Sequence, residues 1–200
     1  MRYGKGHKDA SRQRIMEVAG ERFRSDGIAA SGLAAIMSDA GLTNGAFYPH
    51  FKSKADLVRE SVAAAMDDQC RALRQIIADG GLEAALAAYL SPEHRDAPES
   101  GCTLAALLPE LARQPLDTRS VYMERFLEAA AEIASSLPPE ISDSTDVAIA
   151  IYATLIGTLQ LARAVSGTPL SNRILNSGKE AARELARRGL GGHNPAEAAH

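Results

Sequence analysis

The chain has 200 residues, of which 46% are hydrophobic and 24% are charged, and this composition excludes a disordered or collagen-like chain. Its longest uncharged apolar stretch, residues 147–162, is shorter than the roughly 20 residues that cross a bilayer, and no charged-then-apolar leader opens it, so we expect a cytoplasmic protein. Residues 1–60 carry ten Lys and Arg against seven Asp and Glu, so their charge is +3 and that of the remainder is −6. The basic end suits contact with phosphates, although an ordinary solvated surface has similar charge.

Apolar residues recur at helical spacing from the start of the chain. The first predicted helix presents Ile15 and Phe23 on one face and ends near Gly27. A second helix is predicted over residues 33–40, with Ser31 as its N-cap. A short third helix is predicted over residues 44–51, with Thr43 as its cap.

The rest of the chain also reads as helices separated by Gly and Pro. Six further helices are predicted over residues 55–79, 82–90, 103–113, 118–137, 146–165 and 170–187. Residues 92–101 and 189–200 are aperiodic and are predicted to be mobile. Since no stretch alternates like a strand, we expect an all-α fold of about nine helices.

The second and third predicted helices are joined by about three residues that include Gly41, which is typical of a helix-turn-helix. In such a unit the second helix places its amino-terminal end in the major groove of DNA. The residues suit this role, because apolar side chains that would hold the unit together alternate with polar or small ones on the other side. The first set is Leu42, Phe47 and Phe51, and the second is Thr43, Asn44, Ala46, Tyr48 and His50.

Residues 11–57 resemble the DNA-binding domain of the TetR/AcrR (tetracycline-repressor) family of bacterial transcriptional regulators. The resemblance is carried by GIAAS at 27–31, LAAI at 33–36, AGLTNGAFYPHFKSK at 40–54 and Leu57. It implies a three-helix DNA-binding domain at residues 1–55, a helical effector-binding and dimerisation domain at 56–188 and a flexible tail at 189–200. It also implies a homodimer that binds a palindromic operator, acts as a repressor and is released by a small-molecule effector.

The match also implies roles for single residues. Ser31, Thr43, Tyr48 and Lys54 match positions that hold phosphates in the family, and Asn44 and Ala46 match base-facing positions. An Asn side chain can pair with adenine and an Ala methyl can pack on the methyl group of thymine. The predicted DNA-binding set is Ser31, Thr43, Asn44, Gly45, Ala46, Tyr48, His50 and Lys54.

The carboxy-terminal half is expected to dimerise and to bind the effector. The helix predicted at 146–165 has an apolar face of small residues, which suits either a dimer interface or an intramolecular core. The resemblance favours the dimer interface, with Ala150, Thr154, Gly157, Leu161, Ile174 and Leu185 as its residues. The effector pocket, or alternatively plain core, is predicted at Met66, Cys70, Leu107, Leu111, Tyr122, Phe126, Tyr152 and Leu155.

Two residues depart from the family pattern. Met37 stands where a small Ala is usual, and Pro49 lacks the N–H that a longer third helix would need, so we expect a short recognition helix. Pro49 also leaves open a second reading, a helical small-molecule-binding or adaptor protein that no longer binds DNA. The sequence has no GxSxG, Walker A or HExxH motif, and its five His are scattered, so we expect no enzyme, no cofactor and no metal site.

Overall fold

The computed structural model describes residues 5–189. The described residues form eight α-helices and one 3₁₀ turn, with no strand among them, which confirms the predicted all-α fold. The elements are α1 (Lys5–Asp26), α2 (Leu33–Asp39), the 3₁₀ turn Asn44–Ala46, α3 (Lys54–Tyr89), α4 (Pro92–Asp96), α5 (Thr103–Leu111), α6 (Leu116–Ser135), α7 (Ser144–Ala164) and α8 (Pro169–Arg188). The tail predicted from residue 189 lies outside the described residues, apart from Gly189 itself.

One predicted boundary in the middle of the chain is confirmed and one is wrong. The break expected between the helices at 55–79 and 82–90 is present within α3, where Gly81 leaves helical geometry with a φ of 65° and a ψ of −165°. The stretch expected to be mobile at 92–101 begins with the short helix α4. Pro92 suits the first turn of a helix because its missing N–H would have no partner there, and the Ser91 hydroxyl accepts from the His94 N–H at 3.1 Å.

The recognition helix is shorter than the predicted span of residues 44–51, as Pro49 led us to expect. Only Asn44–Ala46 is helical, in a 3₁₀ turn, because Pro49 has no N–H to donate to the carbonyl of Gly45. The chain then turns by bonds from the N–H groups of His50 and Phe51 to the Phe47 carbonyl, at 2.9 and 3.1 Å.

The described chain divides into two compact units. One comprises residues 5–71 and 97–126, and the other comprises residues 72–96 and 127–189. The first unit contains the helix-turn-helix segment, whose interior is formed by large side chains that are at most 2% exposed: Ile15, Phe23, Ile36, Met37, Phe47 and Phe51. Met37 is thus accommodated despite its size. These units reflect compactness alone. The boundary predicted at residue 55, between the DNA-binding domain and the effector-binding domain, stays a prediction.

The second unit is centred on the packing of α7 against α8. Gly178 of α8 is buried, and a Cβ built on it would lie 2.3 Å from the Thr158 side chain of α7. The absence of a side chain at this position therefore sets how closely the two helices approach. By length and composition alone α7 could cross a membrane, with a mean hydropathy of 1.5, but its face of buried residues, including Ile151, Leu155 and Leu159, packs as a core helix does.

Candidate nucleic-acid interface

The turn after α2 fixes the direction in which the chain leaves that helix. Gly41 has a φ of 72°, in the left-handed region that glycine adopts without steric cost. The Gly41 N–H donates to the Ser38 carbonyl at 3.0 Å and the Leu42 N–H donates to the Met37 carbonyl at 2.9 Å. These bonds form a Schellman-type end that satisfies the last carbonyls of α2. The chain is thereby directed into residues 43–50, which we name the recognition segment.

Two buried aromatic rings anchor the recognition segment to the first unit. Phe47 and Phe51 are 2% and 1% exposed, and their ring centroids lie 5.5 Å apart in a stacked arrangement. Tyr48 is 72% exposed, and its ring is nearly perpendicular to that of Phe47, with the two ring centroids 5.4 Å apart. A large aromatic side chain with a hydroxyl group is thus held at the surface by a rigid neighbour.

The other predicted contact residues of this segment are also at the surface. Thr43, Asn44 and Gly45 are exposed, and Ala46 and His50 are half-buried. The expectation that the Thr43 side chain caps the recognition helix is wrong, because it makes no capping hydrogen bond. The Thr43 carbonyl accepts from the Ala46 N–H at 2.9 Å instead, so the side chain keeps its hydroxyl free for another partner.

The amino-terminal part of α1 adds positive charge beside the recognition segment, which the sequence analysis did not assign to the site. Burial lowers the pKa of His50, and the charges of Lys8 and Arg12 lower it further, whereas Asp9 raises it. The His50 Nδ1 atom is buried and has no hydrogen-bond partner within the described residues. Lys8 is exposed, while Arg12 lies 5.1 Å above the Phe51 ring and pairs with Glu60.

The start of α3 presents lysines at the far end of the recognition segment. Lys52 is exposed, and Lys54 is half-buried with its Nζ donating to the Ile28 carbonyl at 2.5 Å. Ser53 caps α3 by accepting from the Asp56 N–H at 3.1 Å, and the Asp56 carboxylate accepts from the Lys52 N–H at 3.0 Å. The cap fixes the backbone from which both lysines project.

Ser31 does not take the place that the sequence suggested. Its side chain is 0% exposed, and its hydroxyl lies 2.7 Å from the Gly27 carbonyl oxygen, to which it donates. The N-cap of α2 is Gly32, so the expectation that Ser31 caps this helix is wrong. A hydroxyl that is buried and engaged with the backbone does not face a phosphate in this conformation.

The residues predicted to form the effector pocket are distributed over both units. Met66, Cys70, Leu107, Leu111, Tyr122 and Phe126 belong to the first unit, and Tyr152 and Leu155 belong to the second. Tyr122 and Phe126 are half-buried and the others are buried. The pocket stays a prediction. In the described residues no group of His, Cys, Asp or Glu is placed to hold a metal ion.

The residues predicted to form the dimer interface lie on α7 and α8, and none of them is fully buried. Leu161 is 62% exposed, and the other five are half-buried: Ala150, Thr154, Gly157, Ile174 and Leu185. The close approach between α7 and α8 is made by Thr158 and Gly178, which are not among the predicted interface residues. The dimer interface stays a prediction.

One residue that contacts the helix-turn-helix segment was missed altogether. The carboxylate of Glu110, in α5, accepts hydrogen bonds from the backbone N–H groups of Ile28 and Ala29, which precede α2. Glu110 is more than 80 positions away in sequence from these partners, and no local pattern marks it.

Comparisons with known proteins agree with this geometry. Residues 15–61 match the family described as "Bacterial regulatory proteins, tetR family". The HTH-type transcriptional repressor KstR2 of Rhodococcus jostii (strain RHA1) is 26% identical over 120 residues, which are 60% of this chain and 59% of that protein. The HTH-type transcriptional regulator AcrR of Shigella flexneri is 44% identical over 50 residues, which are 25% of this chain and 23% of that protein. Both alignments thus span less than two thirds of the relative.

Solved structures share the fold over nearly the whole chain. The transcriptional regulator of the TetR family from Cytophaga hutchinsonii superposes with a TM-score of 0.74 at 20% identity, over 91% of this chain and 98% of that one. The reduced form of E. coli NemR superposes with a TM-score of 0.72 at 17% identity, over 88% and 96% of the two chains. Residues 15–61 are thus similar to the segment that defines the tetR family of bacterial regulatory proteins, and the chain shares its fold with solved structures of that family.

Proposed function

We propose that the protein is a transcriptional repressor that binds a palindromic operator as a homodimer and is released by a small-molecule effector. It acts in the cytoplasm and has no enzymatic activity. The observation that carries the proposal is the recognition segment, in which Phe47 and Phe51 are buried while Asn44 and Tyr48 are exposed. Such a segment presents its first turn to DNA while the two buried rings stay in place.

The proposed DNA contacts divide into two kinds. Thr43, Tyr48 and Lys54 hold phosphates, because they offer hydroxyl and ammonium donors around one surface. Asn44 and Ala46 face the bases at the start of the recognition segment. Gly45 adds no side chain between them, and a Cβ built on it would meet nothing within 4 Å in the protein, so its use is to let DNA approach closely. His50 lies beside the cations of α1, whereas Ser31 is left out because its hydroxyl is buried.

The proposed dimer uses the outward faces of α7 and α8. These faces combine small residues, Ala150 and Gly157, with the exposed Leu161, which suits close approach of a symmetry-related helix pair. A homodimer also explains why a palindromic operator is expected, since two identical reading units related by a two-fold axis match two inverted half-sites.

The proposed effector is a small apolar or aromatic molecule that binds among the helices beyond the DNA-binding segment. The pocket rests on the family resemblance and on the apolar character of residues such as Met66, Leu107 and Phe126. For any effector, release of DNA is limited by the difference between its affinities for the DNA-bound and DNA-free conformations. A screen for small molecules that release the protein from its operator therefore identifies the effector.

The proposal is tested by selecting random duplex DNA with the purified protein at about physiological salt. We expect an enriched palindrome that is lost with Tyr48→Ala and kept with Leu116→Ala, which removes a side chain that is 74% exposed on α6. Binding of the palindrome is expected to weaken steeply with added salt, because phosphate contacts release counterions.

The contrary outcome is also informative. If a folded, ligand-free dimer enriches no duplex, the protein is instead a helical small-molecule-binding or adaptor protein. The brevity of the 3₁₀ turn at Asn44–Ala46, which follows from Pro49, is the observation that favours this second function.

A further inference from the structure

The turn that precedes α2 is held by a side chain from outside the helix-turn-helix segment. Glu110, near the end of α5, accepts from the Ile28 N–H with Oε1 at 3.1 Å and from the Ala29 N–H with Oε2 at 3.0 Å. A carboxylate that accepts two backbone N–H groups makes charge-assisted hydrogen bonds, which are stronger than bonds between neutral groups. The turn is thus fixed to α5 at two adjacent peptide groups.

The residue before these peptide groups is shaped for the carboxylate. A Cβ built on Gly27 would lie 2.8 Å from the Glu110 Oε1, closer than any stable contact, and the φ of Gly27 is 89°. The backbone conformation requires glycine, and the missing Cβ lets the Glu110 carboxylate approach without a shift. Gly27 therefore favours the contact between Glu110 and the turn.

Lys54, one of the proposed phosphate-binding residues, holds the other side of the same turn. The Ile28 carbonyl accepts from the Lys54 Nζ at 2.5 Å, while the Ile28 N–H donates to Glu110. The short segment between α1 and α2 is therefore held at one residue by α3 and by α5. Because α2 begins at Leu33, a few residues later, a shift of this segment shifts the start of α2 and the recognition segment behind it.

The helix that carries Glu110 combines a buried face with a weakened hydrogen-bond ladder and borders an open cleft. Leu107 and Leu111 are 1% and 0% exposed, so one face of α5 is packed in the interior of the first unit. Pro109 lacks the N–H that would bond the Ala105 carbonyl, which weakens the helix beside Glu110. An open cleft of about 380 Å³, lined in part by Val58 and Arg113, lies next to the contact and leaves room for movement.

We propose that Glu110 is a positioning residue that transmits the position of α5 to the helix-turn-helix and so sets the affinity for DNA. This inference rests on the proposed function, since it concerns operator binding. It assigns to one carboxylate the mechanical link between the interior of the first unit and its DNA-reading surface.

The test is a double-mutant cycle measured on the duplex that the wild-type protein enriches. Glu110→Gln keeps the shape of the side chain but removes the charge and one acceptor oxygen. We expect it to weaken binding of all duplexes alike, by about tenfold, because loss of a charge-assisted hydrogen bond is worth roughly that factor. Pro109→Ala, at an exposed position, is expected to change the affinity in the wild-type background and to change it by less than about twofold in the Glu110→Gln background.

A charge-matched variant and a measurement without DNA separate positioning from folding. Glu99→Gln makes the same change in net charge at an exposed residue just before α5, and we expect it to bind like the wild type. Amide hydrogen exchange of Ile28 and Ala29 in the free protein is expected to be faster in Glu110→Gln, while a cooperative thermal transition shows that the variant is folded.

The outcomes distinguish this inference from the function on which it rests. A Glu110→Gln variant that binds the enriched duplex as tightly as the wild type overturns the role of Glu110 alone. Equal effects of Pro109→Ala in both backgrounds also overturn it, because a merely structural residue gives additive effects. If the wild type enriches no duplex, the proposed function falls and this inference falls with it.

Discussion

Asn44 and Tyr48 stand four residues apart on the recognition segment and have different tasks in the proposed complex. The amide of Asn44 can pair with one base edge, whereas the hydroxyl of Tyr48 can donate to a phosphate whatever the sequence. Both side chains are exposed, and neither contributes to the buried anchor formed by Phe47 and Phe51. Substitutions at the two positions can therefore be compared in proteins of equal stability.

We predict that Asn44→Ala lowers discrimination at one base pair of each half-site, by about 1–3 kcal/mol, since this is the usual worth of a bidentate contact. Tyr48→Phe should weaken binding to all duplexes by about 1 kcal/mol, since it removes one hydrogen bond and keeps the ring. Fluorescence anisotropy on the enriched duplex and on its single-base variants measures both. If Asn44→Ala weakened every sequence equally, Asn44 would be a phosphate-positioning residue.

At Gly178, a substitution that normally favours helices is predicted to do the opposite. Ala is favoured over Gly in a helix interior by about 1 kcal/mol, but a Cβ here would lie 2.3 Å from Thr158. Because overpacking costs about 1–3 kcal/mol and a gap of 2.3 Å lies at the severe end, we predict that Gly178→Ala lowers the free energy of unfolding by up to about 2 kcal/mol. Chemical denaturation measures it, with Ser177→Ala, on the exposed side of the same helix, as the control. A more stable Gly178→Ala protein would show that α7 and α8 separate at little cost.

The short helix α4 is held to its neighbours by polar contacts around His94. The His94 Nδ1 lies 2.6 Å from the Tyr89 carbonyl oxygen, and the ring meets the Tyr89 ring edge-on with centroids 4.8 Å apart. Arg163 of α7 donates to the His94 and Arg95 carbonyls at 2.9 and 3.0 Å. Burial lowers the pKa of His94 and the charge of Arg163 lowers it further, whereas the bond to the Tyr89 carbonyl raises it.

This lowered pKa predicts a loss of stability in mild acid. In the unfolded chain His94 takes up a proton as the pH falls through about 6.5, while in the folded protein it stays neutral until a lower pH. The unfolded state then binds more protons, so the free energy of unfolding decreases as the pH falls below about 6.5. His94→Gln, which can still donate to Tyr89, should reduce the difference between the thermal midpoints at pH 7.5 and 5.5. An undiminished difference would assign the effect to His50, whose pKa is lowered too.

The elements that could be predicted from the sequence are those whose signals are local. Helical spacing identified the long helices, and Gly41 marked the turn before the recognition segment. Pro49 predicted its brevity. The caps were wrong, because Ser31 is buried against the Gly27 carbonyl and Thr43 leaves its side chain free.

The contacts that could not be predicted join distant parts of the chain. Glu110 reaches a turn more than 80 residues earlier, and the burial of Met37 depends on the packing of other helices around it. A single sequence contains no local pattern for either contact. The proximity of Lys8 in α1 to His50 could not be predicted for the same reason, because it arises only in the folded chain.

At the scale of the whole molecule, the proposed function requires two chains. We predict that Leu161→Glu weakens the dimer at least about 100-fold, because a symmetric interface would then bury two unpaired carboxylates. Sedimentation equilibrium measures the effect, and operator affinity should fall with it. Leu116→Glu makes the same change at a side chain that is 74% exposed on α6, and we expect it to remain dimeric. A dimeric Leu161→Glu protein would place the interface elsewhere.

Native mass spectrometry of the protein on the enriched duplex decides whether two chains bind one operator. The experiment is repeated with one half-site scrambled. We expect chains bound in pairs on the intact palindrome and an affinity at least about 100-fold lower on the scrambled duplex, since half of the phosphate and base contacts are lost. A single chain bound equally well to both duplexes would contradict a dimeric operator-binding regulator.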